Sequence, residues 1–327
     1  MALSIGVLGA GHLGKIHMRC LRALPEHFDL RGFYDPDVEQ AKRVSELFGL
    51  PVFGSMEALL DDVSVVDIVT PTIAHFACAE AAIRRMRHVF IEKPLTQTLE
   101  EGRTLVRLAQ EAGIKVQVGH VERFNPAFQA VLPHLHQPRF IEAHRLSLFN
   151  PRGTDVSIVL DLMIHDIDII LSIVKSNIRK VSANAVSVVS DTADIANARI
   201  EFDNGSVANL TSSRISLKNM RKMRFFQQDA YVSVDFYEKK TEIVRIRPSE
   251  KEEGEGLVID LGPIKGKKEI YFENPEIPDA NAILEELKAF VHAIETNTKP
   301  PVSVEDGFYA MDVAAKIMEK IQLSVLP

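Results

Sequence analysis

Apolar positions in the first third of the chain fall into short continuous runs, at 5–8, 30–34, 65–69, 88–92 and 115–119. Such runs, without polar alternation, mark strands covered on both faces. The stretches between them repeat apolar residues at helical spacing. They predict a helix carrying Ile16, Cys20, Leu21 and Leu24, then helices over 37–48, 55–61, 74–87 and 98–112, with a short strand at Val52-Phe53. Alternation of this kind is the pattern of an α/β, doubly wound parallel sheet of the Rossmann type.

Beyond Gly119 the period changes. A helix over 126–135 precedes segments of period-two alternation at 139–148, 179–189, 194–202, 206–213, 222–226, 231–237, 241–246 and 257–261. Asn204-Gly205 reads as a type I′ hairpin turn. The pattern predicts a C-terminal α+β domain with a large, mostly antiparallel open sheet and helices on one face. The other face is left for an oligomer contact or for closing over a nucleotide. Domains are expected at 1–120 and 121–327, and the helices carrying Ile283, Leu287, Phe290, Val291 and Ile294, then 313–323, can pack back on the first. The polar run Pro248 to Gly256 reads as a loop or hairpin tip.

One predicted helix, 158–174, is apolar almost all round, yet Asp161, His165, Asp168 and Ser172 recur at i, i+4, i+7 and i+11. The stripe fits a solvent-facing edge or a cleft-facing one. In the second case His165, with an unperturbed pKa of about 6.5, is a plausible base beside Asp161.

Ligands of doubly wound sheets bind beyond the carboxyl ends of the strands. There the chain places Gly9-Ala10-Gly11-His12-Leu13-Gly14, a G-x-G-x-x-G turn between a strand and a helix. The first glycine permits the turn, the second lets a pyrophosphate approach, and the third lets the helix pack closely. The glycines alone also fit a plain βα turn. Asp35, at the end of the second strand, stands where a ribose hydroxyl is held, and with Asp37 it favours NAD over NADP. Ile16 replaces the hydroxyl residue that a P-loop needs after Gly14-Lys15, so an NTPase is rejected. Candidate cofactor contacts are thus Gly9, Gly11, His12, Leu13, Gly14, Asp35, Thr70, Pro71, Glu92 and Lys93. Glu92-Lys93-Pro94 puts an acid and a cation at a strand end, although a lysine on a turn with an incidental proline fits as well. His75 reads as a helix-start residue.

Composition narrows the classes. At 327 residues and 46% hydrophobic content the chain is long enough for two globular domains. A net charge of -7 argues against nucleic acid or an anionic membrane as partner. No apolar run reaches the roughly 18 residues of a membrane span. Cys20 and Cys78 fall in predicted helices without metal-ligand spacing, as core residues of a reducing compartment, and cytoplasmic residence is expected. No metal site is expected.

With these motifs together, the chain resembles the Gfo/Idh/MocA oxidoreductase family over essentially its whole length. Thr70-Pro71-Thr72 with His75, Val89 to Leu95, and Arg123-Phe124-Asn125-Pro126 occur in the family's order, while Arg85-Met86-Arg87-His88 departs from its usual small-Gly-Lys turn. The resemblance implies dimers or tetramers and hydride transfer between NAD(P) and a sugar or cyclitol. It also implies a role for Lys93 beside substrate and nicotinamide, and a substrate-side pair at Asp161 and His165. The segments 119–126 and 161–168 resemble the branch oxidising carbon 3 of UDP-N-acetylglucosamine. On this reading His165 is the base, Lys93 stabilises alkoxide charge and Asp161 orients His165 or a sugar hydroxyl, with the first two roles exchangeable. Arg123 and Asn125 are substrate contacts or helix-start residues, and the basic run 218–224 meets a diphosphate or solvent. An NAD-sensing regulator and a reductase of a non-sugar carbonyl stay open as alternatives.

Overall fold

A computed structural model describes residues 2–150, 156–249, 257–262 and 266–325. The expected loop at 248–256 lies outside them from residue 250 onward. Two compact units divide the chain: Met1–Phe124 with Ala280–Asp312, and Asn125–Asp279 with Val313–Pro327.

The first unit is built on β1 (Leu3–Leu8), β2 (Phe28–Tyr34), β3 (Val65–Ile68), β4 (His88–Glu92) and β5 (Val116–Gly119). They form a parallel sheet in the order β2-β1-β3-β4-β5. Val52 extends the order beyond β2 by a single parallel bridge to Phe33, so the expected short strand is reduced to one pair. Helices α1 (His12–Arg22), α2 (Val38–Phe48), α3 (Met56–Asp62), α4 (Thr72–Arg84) and α5 (Leu99–Ala112) cover the sheet. Side chains set their starts: Asp37 and Ser55 cap α2 and α3, and Thr98 with Glu101 forms a capping box on α5. Ile5, Val7, Met18, Leu21, Phe33 and Phe90 form one buried cluster. Leu287, Phe290 and Val291, from α8 (Ala282–Glu295), complete it.

In the second unit, β6 (Phe140–Leu146), β7 (Ile178–Val186), β8 (Ile195–Phe202), β9 (Val207–Ser213), β10 (Met220–Phe226), β11 (Ala230–Asp235), β12 (Lys240–Pro248), β13 (Leu257–Asp260) and β14 (Lys267–Glu273) form one sheet. Its order is β13-β14-β12-β11-β10-β6-β9-β8-β7. Every pair is antiparallel except β6 with β9. Ala143, Ala196, Ala198 and Ala208 are buried on it, small enough to let helices approach. Against it lie α6 (Pro126–Val131) and α7 (Ile164–Ile173), which presents Ile164, Ile167 and Ile170. The last helix, α9, runs Val304–Val325.

Three local expectations change. The hairpin at Asn204-Gly205 exists, but only Gly205 has positive φ, and its N–H donates to Phe202 O. That is a three-residue loop with a glycine bulge rather than a type I′ turn. The helix expected over 126–135 ends at Val131, where Pro133 follows in a 3₁₀ turn. The helix expected over 158–174 opens as a π-helical turn, Val159–Met163, before α7.

Candidate active site

The carboxyl edge of the first sheet gathers most of the residues the sequence singles out. Gly9 has a φ of +101°, and a Cβ there would lie 2.8 Å from Val69 O. At Gly14 a Cβ would lie 2.1 Å from Gly9 O, so helix and turn touch backbone to backbone. At Gly11 an added Cβ meets nothing within 4 Å. Two glycines are thus dictated by close approach and the middle one leaves bare backbone, the arrangement a pyrophosphate needs. Gly11 is the N-cap of α1 with no side-chain cap, and no acid occupies the first turn. The helix start with exposed His12 and half-buried Leu13 suits an anion.

Asp35 follows β2 directly and binds the turn itself. Its carboxylate accepts from Ala10 N at 2.7 Å and from Asp37 N at 2.9 Å. Those bonds fix the acid beside the glycines and leave further lone pairs for ribose hydroxyls. The residues present therefore fit a dinucleotide.

Thr70 and Pro71 follow β3, Glu92 closes β4 and Lys93 follows it. The Lys93-Pro94 peptide is cis. His75, read from sequence as a helix-start residue, joins these two loops. Its ring nitrogens lie 2.9 Å from Pro94 O and 2.9 Å from Thr70 O. Burial pushes its pKa below the usual value, so a neutral ring carries a single N–H between two carbonyls.

His17 is a residue the sequence reading passed over. It lies fully buried beneath this edge, 2.9 Å from Asp67 and 3.3 Å from Glu92. The signal was a titratable side chain on the buried face of α1 facing an aspartate inside the apolar run Val65-Val66-Asp67-Ile68.

Asp161 and His165 belong to the second unit, where both are half-buried. Asp161 sits in the π-helical turn, a distortion enriched at functional sites. The predicted stripe does not continue past His165. Asp168 is buried, and Ser172 spends its hydroxyl on Ile169 O. Asp166, next to His165, forms a buried ion pair with Arg145 of β6, Nη2 to Oδ1 at 2.8 Å.

Arg123 and Asn125 both hold backbone. Arg123 donates to Pro301 O at 3.2 Å, within the first unit. Asn125 caps α6 through Ala127 N and donates to Phe236 O, within the second. The basic run lies largely on β10, where Lys222 pairs with Asp235 and Arg224 with Glu142. Met86 occupies the left-handed region at φ 59°, the position for which the turn usually supplies glycine. Among the described residues no cluster of His, Cys, Asp and Glu suits a metal, and no helix is long and apolar enough to cross a membrane.

A parallel sheet whose carboxyl edge carries a bare glycine turn, an acid after the second strand and a lysine after the fourth defines a dinucleotide-dependent oxidoreductase. Residues 3–120 match the model described as an oxidoreductase family with an NAD-binding Rossmann fold, and residues 134–233 match the Gfo/Idh/MocA C-terminal domain. The chain belongs to the Gfo/Idh/MocA family, as an NAD-dependent dehydrogenase.

It is 37% identical over 294 residues to a UDP-N-acetylglucosamine 3-dehydrogenase of Acidithiobacillus ferrooxidans, covering 88% of each chain. A solved structure of a UDP-N-acetylglucosamine 3-dehydrogenase from that organism superposes with a TM-score of 0.88 at 33% identity, over 99% of both chains. A myo-inositol 2-dehydrogenase of Thermotoga maritima is 23% identical, over 94% of this chain and 93% of its own. A levoglucosan dehydrogenase solved with NADH and L-sorbose shares the fold, with a TM-score of 0.84 at 18% identity over 98% and 97%. These relatives favour a dehydrogenase over a regulator or a reductase of non-sugar carbonyls.

Proposed function

We propose that the chain oxidises the carbon 3 hydroxyl of UDP-N-acetylglucosamine. The observation that carries this reading is the 37% identity, over 88% of both chains, to an enzyme named for that reaction. NAD supplies the acceptor for the hydride. Gly11 and the start of α1 would hold its pyrophosphate, Asp35 its ribose, and Thr70, Pro71, Glu92 and Lys93 its far end. His165 takes the hydroxyl proton, the general-base role that histidine fills most often. Lys93 supplies a fixed cation for the charge that develops on the oxygen. Asp161 orients His165 or a neighbouring hydroxyl. The test is NADH formation from NAD and UDP-N-acetylglucosamine with a carbonyl trap, beside UDP-glucose, myo-inositol and the Lys93→Ala variant. Turnover of the acetylated nucleotide sugar alone, lost in Lys93→Ala, supports the proposal; turnover of another polyol alone refutes the substrate.

A homodimer or homotetramer assembled through the outward face of the large sheet belongs to the same proposal. Val207, Phe140, Phe226, Tyr231, Val244 and Phe272 stand in register across six neighbouring strands of that face. Light scattering of Phe140→Glu against the parent chain tests it, with loss of the oligomer expected. Cytoplasmic residence is proposed from the two buried free cysteines.

A further inference from the structure

A cluster of charged side chains, His17, Asp67 and Glu92, lies beside the backbone that leads into Lys93. His17 projects from α1 into the sheet, its edge against the ring of Phe90 at 5.6 Å. Nδ1 is 2.9 Å from Asp67 Oδ2, and Nε2 is 3.3 Å from Glu92 Oε1, a charge contact rather than an aligned hydrogen bond. Both carboxylates lie in the interior, where two like charges persist only with a cation beside them. Burial, the largest single influence, pulls the imidazole pKa down. Asp67 and Glu92 together outweigh it and raise the pKa well above its ordinary value. The ring is thus an imidazolium held between β3 and β4. Cys20, one turn along α1, is a titratable group near it, and burial pushes that thiol's pKa up.

Glu92 passes the constraint on. Its second oxygen, Oε2, accepts the backbone N–H of Lys93 at 3.2 Å. A Cβ at Gly119 would stand 2.6 Å from the same Oε1, so glycine on β5 leaves room for the carboxylate where it lies.

We propose that His17 is a positioning residue for Lys93: anchored on Asp67, it holds the Glu92 carboxylate that fixes the backbone where Lys93 leaves the sheet. This rests on the assignment of Lys93 to the reacting centre.

The test compares the full-length parent, His17→Gln, His17→Gln/Asp67→Asn and Lys93→Ala with NAD and UDP-N-acetylglucosamine, normalising kcat to NADH-binding sites. In His17→Gln, kcat falls about 10- to 100-fold, the scale set by a small misplacement of a catalytic group, while NAD affinity holds. The double variant removes one excess carboxylate with the cation. It regains thermal stability but stays slow, because Glu92 still lacks its partner. Recovery of kcat along with stability would mean a purely structural cluster and overturn the proposal, as would full kcat in both variants.

Competitive amine labelling of Lys93, read by mass spectrometry without substrate, provides a second measurement. Losing the imidazolium raises its labelling midpoint in His17→Gln, and an unmoved midpoint overturns the coupling. Full activity of Lys93→Ala would instead overturn the assignment of Lys93, and the coupling with it.

Discussion

Breaking the Arg145–Asp166 pair tests how the helix bearing His165 is held. The guanidinium is 3% exposed and the carboxylate 6%, and they meet through Nη2–Oδ1 at 2.8 Å and Nε–Oδ2 at 3.1 Å. Both charges are almost wholly buried, so Asp166→Leu takes from the cation its carboxylate partner and Arg145→Met takes from the anion its guanidinium. Each costs about 3–5 kcal/mol, whereas replacing both by apolar residues of similar size is often neutral or stabilising. The double variant therefore lies within about 1–2 kcal/mol of the parent, and the coupling in the cycle is several kcal/mol. At about 2–4 °C per kcal/mol for a unit of this size, each single variant loses roughly 6–20 °C in thermal midpoint. The assay is a thermal scan by circular dichroism, with kcat as a parallel measurement. Single variants costing under about 1 kcal/mol, or additive losses in the double, would refute the claim that this pair is a desolvated unit.

Gly14→Ala puts a methyl 2.1 Å from Gly9 O, so NADH binding by fluorescence titration is expected to vanish while the second unit keeps its melting transition. Met86→Gly relieves a left-handed backbone at an exposed position and raises the unfolding free energy by about 0.5–1 kcal/mol, read as a higher urea midpoint. His17 titrates with a folded-state pKa raised above its unfolded value. Its contribution to stability is complete below about pH 6.5 and is lost as pH rises through the raised value. Denaturation midpoints measured from pH 6 to 10 should fall on the alkaline side in the parent and flatten there in His17→Gln.

The glycine turn was legible because its spacing encodes backbone contacts that no side chain can replace. Asp35 was legible from its place at the end of the second apolar run, and the strand that ends at Glu92 from its own run. The second sheet was legible through alternation, with one omission: β14 opens on Lys267-Lys268-Glu269, which hides its period among charges. What alternation cannot reveal is which polar residue faces inward. Asp168 follows His165 by three residues on the same regular helix, yet it is buried while His165 is half-buried. His75 and His17 read as ordinary helix residues, because their partners Thr70, Pro94, Asp67 and Glu92 lie on other elements and only tertiary contact defines them.

Helix α8 supplies Leu287, Phe290 and Val291 to a core whose other members all precede residue 91. A ribosome therefore releases the whole parallel sheet before it makes the helix that closes one side. At about 5–20 residues per second, the 171 residues from 124 to 295 take roughly 9–34 s. Through that interval the nascent sheet carries an uncovered apolar flank around Phe90, and residues 125–279 of the second unit are synthesised beside it. The chain's interval of greatest exposure to chaperones and to aggregation thus falls during translation, and a truncation at residue 279 would prolong it indefinitely.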